Sequence, residues 1–388
     1  MSSSAQTLPT RPRLAFVDAA RSLAMLLMVQ AHVVDNLLVE AARQTVFFQR
    51  YWLLRGLTAP LFFMLSGFAV MVASDSKWAD YGRPSALLFK RLRRVGSLLL
   101  IGTFIQMPRW SAHTGVFPFD FTTEEWRYVL RAGVLQCVAV SLLVAYLLIA
   151  LTRTRRGFTL AAAAVALGTV LLTPAVAAST AALPLPLEML VRTRYGSLFP
   201  LFPYLAHFFI GATLGRLWLD TTFFSRSARR LGLVFGGGGL ALLGASALMR
   251  LLDPGRLQST TYWVADPALF MSRAGSAWLI FATMALLLGT ARSPAWLKSV
   301  SANALSVYVA HLVFLYGAPG IPGLVHKLGK SLSLVDTYTL GPLLLAGCAV
   351  VMAAWDRAWD AGKAGFSILE QRWARARKPS GALDARGA

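Results

Sequence analysis

The chain has 388 residues, of which 56% are hydrophobic and 14% are charged, and its mean hydropathy is +0.57. This composition excludes an ordinary water-soluble protein of that length and predicts an all-α integral membrane protein. The formal net charge of +21 raises the question of a nucleic-acid partner. The basic residues are spread over many loops rather than gathered in one patch, so we expect no nucleic-acid partner.

About ten segments are long and apolar enough to cross a bilayer, because each crossing needs roughly 20 mostly apolar residues. With a cytoplasmic N-terminus, most Lys and Arg residues fall in the cytoplasmic loops, as the positive-inside rule requires. The sequence therefore predicts about ten transmembrane helices with both termini cytoplasmic. We expect this multi-pass protein to lie in the plasma membrane, specifically a bacterial inner membrane. The predicted segments are 14–39, 56–74, 88–107, 131–151, 158–178, 198–219, 231–252, 268–290, 300–318 and 338–358.

Three regions follow from this pattern. Residues 1–13 are polar, lack the apolar core of a cleavable signal and predict a cytoplasmic N-terminal tail. Residues 14–360 form the predicted transmembrane domain, and residues 361–388 form a basic cytoplasmic tail that we expect against anionic headgroups of the bilayer. Cys137 and Cys348 both lie in predicted spans, which indicates neither a disulfide framework nor a thiolate metal site.

The first predicted helix carries ionisable side chains inside an apolar stretch. Arg21 and His32 share one helical face and lie about 16 Å apart along the axis, since a helix rises about 1.5 Å per residue. Asp35 follows one turn later, where its carboxylate would orient the imidazole and fix one tautomer. Such groups usually face a wet cavity. Spacing alone leaves a second interpretation open, a snorkelling arginine and a histidine that bonds a backbone neighbour.

The second predicted helix, "GLTAPLFFMLSGFAVMVA", combines Pro60 with the small residues Ser66 and Gly67. Proline predicts a kink, and the small residues permit a close approach of helices or an opened backbone. Ordinary packing is the alternative.

The third predicted helix begins with the basic stretch "KRLRRVG". Arg91 and Arg94 are three residues apart and share one helical face, and Lys90 is next to Arg91 in the sequence. These basic side chains are suited to bind a phosphate-bearing cytosolic ligand. The alternative is a basic anchor at the cytoplasmic membrane surface.

A late segment, "SANALSVYVAHL", contains a second intramembrane histidine. We expect His311, together with Ser66 and Asn303, to line a cavity for substrate, although a buried histidine bonded to a backbone carbonyl is an equal alternative for His311. His207 lies in "FPYLAHFFIG" and is interpreted as structural.

Taken in order, these motifs resemble the acyltransferase family 3 membrane acyltransferases. The resemblance rests on the Arg-to-His spacing of the first helix, "PLFFMLSGF" in the second and Arg-x-x-Arg at the third. Three further stretches look closer to the branch of the heparan-alpha-glucosaminide N-acetyltransferase catalytic domain: "GVLQCVAVSLLVAYLL", "FPLFPYLAHFFIGATLGRLW" and "SANALSVYVAHL". The resemblance runs from about residue 13 to 360.

The resemblance implies a membrane enzyme that takes an acyl group from cytosolic acyl-CoA as co-substrate, with no tightly bound cofactor. The acyl group, acetyl in the simplest case, would pass to a hydroxyl or amine of a carbohydrate or lipid-linked acceptor at the opposite face. His32 matches the family's essential histidine and Arg21 its partner arginine. Arg91 and Arg94 match its cytoplasmic Arg-x-x-Arg. Human-type lysosomal members differ at the position of His32, so glucosamine as acceptor does not follow.

Acyl transfer needs a base for the acceptor's proton and positive or hydrogen-bonding groups for the departing thiolate. His32 is the candidate base, and Arg21 would meet the developing charge or the pyrophosphate. Direct transfer and an acyl-histidine intermediate both remain open. A transporter or lipid flippase that uses intramembrane Arg and His is the main alternative function, and it predicts inverted repeats that the sequence does not display. A scaffold that keeps the fold without the chemistry is a third.

Overall fold

A computed structural model gives the fold and describes residues 14–46, 48, 56–107, 123–220, 222–224, 226–253, 266–318 and 321–376. The predicted tail at 1–13 and the last part of the C-terminal tail lie outside these residues. Strand is limited, within them, to an antiparallel pair of two-residue segments, β1 (Gly317–Ala318) and β2 (Ile321–Pro322). The remainder is helix and connecting loop, as an all-α membrane protein requires.

The described residues contain fifteen α-helices. They are α1 (Ala15–Leu37), α2 (Glu40–Arg43), α3 (Thr58–Ser74), α4 (Ala86–Ile105), α5 (Thr123–Leu130), α6 (Val134–Thr152), α7 (Arg155–Ala178), α8 (Leu185–Val191), α9 (Leu201–Leu219), α10 (Ala228–Leu252), α11 (Pro267–Leu288), α12 (Ala295–Ala302), α13 (Ala304–Tyr316), α14 (Leu324–Leu328) and α15 (Leu334–Ala376). A 3₁₀ segment, Asp75–Tyr81, extends α3.

Each predicted span overlaps a long helix or, for 300–318, the pair α12 and α13. Within the described ranges, seven helices are long and apolar enough to cross a membrane, and the number is eight if this bent pair makes one crossing. The other two long helices, α4 and α9, carry charged or polar side chains within their apolar stretches, Arg91 and Arg94 in α4 and His207 and Arg216 in α9. The chain is thus a multi-pass membrane protein, while the count of about ten and the cytoplasmic termini stay predictions.

The loops and the C-terminus contain more helix than the hydropathy pattern indicated. The short helices α5, α8 and α14 occupy stretches that were predicted as loops. Helix α15 runs from Leu334 to Ala376, well past residue 360, where the transmembrane domain was predicted to end. Hydropathy finds the apolar part of a helix, and it cannot find a polar continuation of the same helix beyond the bilayer.

The long helices alternate in direction around α1. Near the start of α1, the ring of Phe16 packs edge-on against Phe68 of α3 and Phe281 of α11, with centroids 6.2 and 5.4 Å apart. Phe68 and Phe281 lie late in their own helices, so both helices run antiparallel to α1. We call the end of the bundle where α1 begins the near face and the end where α1 finishes the far face.

Helices α3 and α9 touch through their backbones. A Cβ on Gly67 of α3 would overlap the carbonyl oxygen of Phe208, and a Cβ on Gly211 of α9 would overlap that of Met64. The predicted close helix approach at Gly67 is confirmed, because only glycine leaves room for this contact. The predicted kink at Pro60 is wrong. Pro60 lies in the first turn of α3, where a backbone N–H would have no helical partner in any case.

The far end of α1 is fixed by neighbouring side chains. The Arg43 guanidinium donates to the carbonyl oxygens of Val34 and Asp35 at 2.9 and 2.7 Å, which satisfies acceptors that a helix end leaves open. Within α1, Gln30 donates to the Thr337 carbonyl of α15 at 3.0 Å. A Cβ on Gly341 would overlap the Gln30 amide, so α15 can pack this closely only through a glycine.

The pair α12 and α13 is bent by 65° at Asn303. The predicted single span 300–318 therefore begins inside a short helix and continues in a differently oriented one. Helix α13 ends at Tyr316 on the far face, beside the end of α1.

Replacing Gly211 by alanine is expected to lower the melting temperature of the purified protein, because the new methyl group forces two backbones apart at a cost of about 3 kcal/mol or more. The matched control is Gly237→Ala, since a Cβ at Gly237 meets nothing within 4 Å. Equal melting temperatures for the two variants would contradict the backbone contact between α3 and α9.

Candidate active site

A cavity of about 910 Å³ lies in the bundle and opens at the far face. Helices α1, α3, α4, α6, α9, α11 and α13 all contribute to its wall, and the short helices α5 and α14 stand at its mouth. Its lining is mainly apolar with a set of polar side chains, as ligand cavities usually are. The polar lining residues are His32, Asp35, Thr58, Gln106, Glu124, Tyr128, Arg131, Gln136, Tyr204, Arg273, Tyr308, Tyr316 and His326.

The cavity follows α1 for three turns. Its lining residues on this helix run from Ala24 to Asp35, about 16 Å along the axis at 1.5 Å per residue. Arg21 lies one turn below Ala24, toward the near face. The predicted pair Arg21 and His32 is thus on one unbroken helix, with His32 in the cavity wall and Arg21 just beneath its floor.

His32 is held by a tyrosine and an asparagine. The hydroxyl of Tyr316 lies 3.0 Å from His32 Nδ1, and Asn36 Nδ2 donates to the same hydroxyl oxygen at 2.8 Å. Asn36 also donates to the His32 carbonyl oxygen at 2.8 Å, which ties it to α1. Asp35 lines the cavity beside His32, and its predicted role in orienting the imidazole stays a prediction.

His311 lies behind His32 in α13. Its ring centroid is 5.3 Å from that of His32 and 5.6 Å from that of Tyr308. The side chain is 0% exposed and does not line the cavity itself. His311 Nδ1 is 3.1 Å from the Val307 carbonyl oxygen, whereas no donor among the described residues reaches Nε2. The prediction that His311 lines the cavity is therefore wrong, and the alternative, a buried histidine bonded to a backbone carbonyl, is the one observed.

A buried cation and a buried amide line another part of the wall. Arg273 of α11 is 8% exposed, and a Cβ on Gly56 would lie 2.6 Å from its Nε, so the glycine makes room for the guanidinium. Gln136 of α6 is also 8% exposed, and its Oε1 accepts from the Gly133 backbone N–H at 3.2 Å. Its Nε2 has no hydrogen-bond partner among the described residues. The cavity therefore offers hydrogen-bond donors as well as histidine.

Arg21 belongs to a polar cluster that joins α1 to the bent pair. Its Nη1 donates to the Ser301 hydroxyl at 3.1 Å, and that hydroxyl donates to Asp18 at 2.7 Å. Ser293 donates to the other carboxylate oxygen of Asp18 at 2.5 Å. Asp18 is buried, and sequence reasoning had not selected it.

The structure places Ser66 and Asn303 outside the residues that line this cavity. The Ser66 hydroxyl donates to the Phe62 carbonyl of its own helix at 2.8 Å. Asn303 stands at the bend between α12 and α13, where its carbonyl oxygen accepts from the Val307 N–H at 2.9 Å. Both lie closer to the near face than the cavity floor does.

The basic residues at the start of α4 lie at the near face. Lys90 and Arg94 are exposed, while Arg91 is half-buried and its Nε has no hydrogen-bond partner in the described part of the chain. Gly102 is the first residue of α4 in the cavity wall, roughly 16 Å along the helix from Arg91.

Sequence reasoning missed several residues of the site. Tyr316, Asn36 and Tyr308 carry no charge and lie in apolar or loop-flanking sequence. Arg273 lies inside the predicted span 268–290 and was not selected as a site residue. His326 lies between two predicted spans, and it stands at the cavity mouth. A polar side chain within an apolar helix indicates a functional position, and this signal could have identified Tyr308 and Arg273. No local sequence pattern identifies Asn36.

Fold and site together define a multi-pass helical membrane protein with a deep far-face cavity built around a histidine. Residues 13–249 match the family model described as heparan-alpha-glucosaminide N-acetyltransferase, catalytic. This match covers more than half of the chain, and the chain belongs to that family. No curated protein matches the chain. The matched region ends in α10, so Arg273, His311 and Tyr316 lie beyond it.

Met107 lines the cavity mouth and is partly exposed, so Met107→Cys is expected to react with a membrane-impermeant maleimide added outside intact cells. Cys137 and Cys348 are buried thiols and are replaced by alanine for this experiment. Lys90→Cys at the near face is the matched control and should react only after the cells are opened. The reverse labelling pattern would contradict both a cavity mouth on the outer side and cytoplasmic termini.

Proposed function

We propose that this protein is a membrane acyltransferase. It moves an acyl group, acetyl in the simplest case, from cytosolic acyl-CoA to a hydroxyl or amine of an extracytoplasmic or membrane-associated acceptor, a glycan or glycolipid. The setting is a bacterial inner membrane with both termini in the cytoplasm. Membership of an N-acetyltransferase catalytic family supports a transferase, and kinship with the acyltransferase family 3 enzymes is part of the proposal.

The observation that carries the proposal is the position of His32. It lies in the wall of a cavity that is large enough for a substrate of several hundred cubic ångströms, and it stands on the same helix as Arg21. An ionisable side chain is costly within an apolar helix and is retained there mainly for function. A histidine with access to the cavity suits the removal of a proton from an attacking hydroxyl or amine.

In the proposed reaction, different residues handle the acceptor's proton and the CoA donor. As the acceptor attacks the thioester carbonyl carbon and loses its proton, His32 is the base that becomes protonated, and a proton later leaves His32 with the thiolate of CoA. Arg21, about 16 Å from His32 along α1 and closer to the near face, is assigned to the pyrophosphate end of the donor. Asp35 is the nearest carboxylate on α1 and favours the imidazolium that forms at His32.

The donor is assigned to the near face. Arg91, Arg94 and Lys90 provide the positive charge that phosphate groups of CoA require, and Arg91 keeps an enclosed N–H donor. The distance of roughly 16 Å from Arg91 to the cavity region of α4 is comparable to an extended pantetheine arm. We propose that Ser66 and Asn303 border the path of that arm, and that His311 acts at the cavity itself, beside His32.

A transporter or lipid flippase remains the second candidate because of one observation, the 65° bend between α12 and α13. Discontinuous helices are typical of transporter binding sites. The two functions differ in a simple test. Only the acyltransferase releases free CoA from acetyl-CoA in the presence of an acceptor, whereas a transporter moves its ligand chemically unchanged.

His32→Ala is expected to reduce acetyl transfer by a factor of about 100 or more, since general base catalysis contributes at least that much. Acetyl-CoA binding and melting temperature should stay near those of the wild type, because His32 is far from the proposed phosphate site. The measurement is CoA release from acetyl-CoA by detergent-purified protein with an acceptor panel of amino sugars and glycolipids. Full activity in this variant would remove His32 as the base.

The double variant Arg91→Ala/Arg94→Ala should weaken equilibrium binding of acetyl-CoA by roughly 10-fold or more, which is the effect of losing charge-assisted hydrogen bonds. Arg83→Ala/Arg156→Ala removes two other exposed near-face arginines and serves as the charge-matched control. Equal weakening in both double variants would assign the effect to general surface charge. Unchanged binding in the first variant would place the donor elsewhere.

A further inference from the structure

We propose that Asn36, Tyr316, His32 and His311 form one directed hydrogen-bond chain, in which the Tyr316 hydroxyl is the group that receives the acceptor's proton. The reaction step rests on the proposed function, whereas the chain itself rests only on geometry. Its members come from opposite ends of the sequence and meet where α1 packs against α13.

The two ends of the chain fix its direction. Asn36 Nδ2 can only donate, so the Tyr316 oxygen accepts at this contact of 2.8 Å. The Val307 carbonyl oxygen can only accept, so His311 donates through Nδ1 at 3.1 Å. Asn36 thus donates into the proposed chain at one end and His311 donates out of it at the other, which gives the chain its proposed direction.

That arrangement assigns both histidine tautomers. Tyr316 accepts from Asn36, and in the proposed direction its own proton is donated to His32 Nδ1 at 3.0 Å. Neutral His32 then carries its own proton on Nε2. His311 carries its proton on Nδ1, and its Nε2 is an unprotonated acceptor.

The remaining link joins the two imidazoles. A linear N–H···N bond with a donor–acceptor distance of about 2.9 Å places two imidazole centroids roughly 5 Å apart, and the observed separation is 5.3 Å. His311 Nε2 is enclosed and has no donor within the described residues, and such an orphan acceptor is unfavourable in an apolar interior. The Nε2–H of His32 is the donor at the right separation, reached by a small rotation of the ring.

The chain defines the proton's route. Tyr316 and His32 both line the cavity, whereas His311 does not. As the acceptor's oxygen or nitrogen bonds to the acyl carbon, its proton moves to the Tyr316 oxygen while the tyrosine proton moves to His32 Nδ1. The resulting imidazolium keeps its Nε2–H on His311. When the carbon–sulfur bond breaks, the proton returns from Nδ1 through Tyr316 to the thiolate, and neutral thiol leaves.

Tyr316 is thereby a catalytic residue, because it touches the reacting atoms. His311 is a positioning residue that acts through His32. It fixes the tautomer of His32 and stabilises the imidazolium with a neutral lone pair, and the backbone carbonyl of Val307 in turn fixes His311.

The first test needs no turnover. The full-length protein, labelled with ¹⁵N-histidine and purified in detergent, is measured by NMR at neutral pH, with His32→Gln and His311→Gln used for assignment. The chain predicts that His32 is protonated on Nε2 and unprotonated on Nδ1, with the opposite state in His311. A proton on Nδ1 of His32 would reverse the contact with Tyr316 and overturn the proposal.

The second test is kinetic. Tyr316→Phe is expected to lower kcat by about 10-fold or more with little change in KM for acetyl-CoA, because the ring keeps its packing and loses only the proton route. Tyr338→Phe removes a phenol from α15 outside the cavity lining and should leave kcat unchanged. An unaltered kcat in Tyr316→Phe would overturn the role of the hydroxyl.

Two variants of similar size separate positioning by His311 from simple packing. Glutamine keeps both a donor for Val307 and an acceptor for His32, so His311→Gln should retain most of the activity that His311→Leu loses. Equal loss in both would overturn the positioning role. Wild-type protein that shows the predicted tautomers but never releases CoA with any acceptor would refute the proposed function and leave the hydrogen-bond chain standing.

Discussion

Polar groups inside apolar helices must find their partners within the protein, because hydrocarbon supplies none. Several polar side chains of α1 find these partners in the last third of the chain. Arg21 bonds Ser301 of α12, Gln30 bonds the backbone of α15, and His32 contacts Tyr316 of α13. These contacts place the C-terminal helices around α1 and so determine where the cavity has its wall and where its histidine faces. An unpaired group at any of these points costs about 1–3 kcal/mol.

Because α1 depends on the C-terminal helices for hydrogen-bond partners, the family match covers only part of the site. The matched residues 13–249 include α1, α3, α4, α6 and α9, which form one side of the cavity and carry His32. Helices α11 and α13 complete the other side with Arg273 and Tyr316 and lie beyond the match. The matched part alone would leave the polar face of α1 without its hydrogen-bond partners. We infer that the catalytic unit is the whole bundle and that activity requires both parts in one fold.

The sequence predicted the helical class and the position of each long helix, because apolar runs of bilayer length are hard to place elsewhere. It also selected His32 and Asp35, since ionisable groups are costly in such runs. It could not predict that Tyr316 and Asn36 meet at His32, because 280 residues separate the tyrosine from the asparagine and their contact depends on how α13 packs. Gly67 was correctly taken as a site of close approach. Pro60 was misjudged because a proline stiffens or breaks a helix according to its distance from the helix start, which composition does not reveal.

The glycine contacts between helices divide the bundle into fixed and adjustable parts. Helices α3 and α9 touch backbone to backbone at Gly67 and Gly211, and α10 and α11 do the same at Gly239 and Gly275. Two helices whose backbones touch cannot slide past each other without a steric clash, so each of these pairs moves as a rigid unit. Helix α13 is joined to α1 mainly by side chains and meets α12 at an open angle. If the bundle opens to admit or release a substrate, we therefore expect α13 to be the helix that moves. This helix also carries Tyr316 and His311, which contact His32.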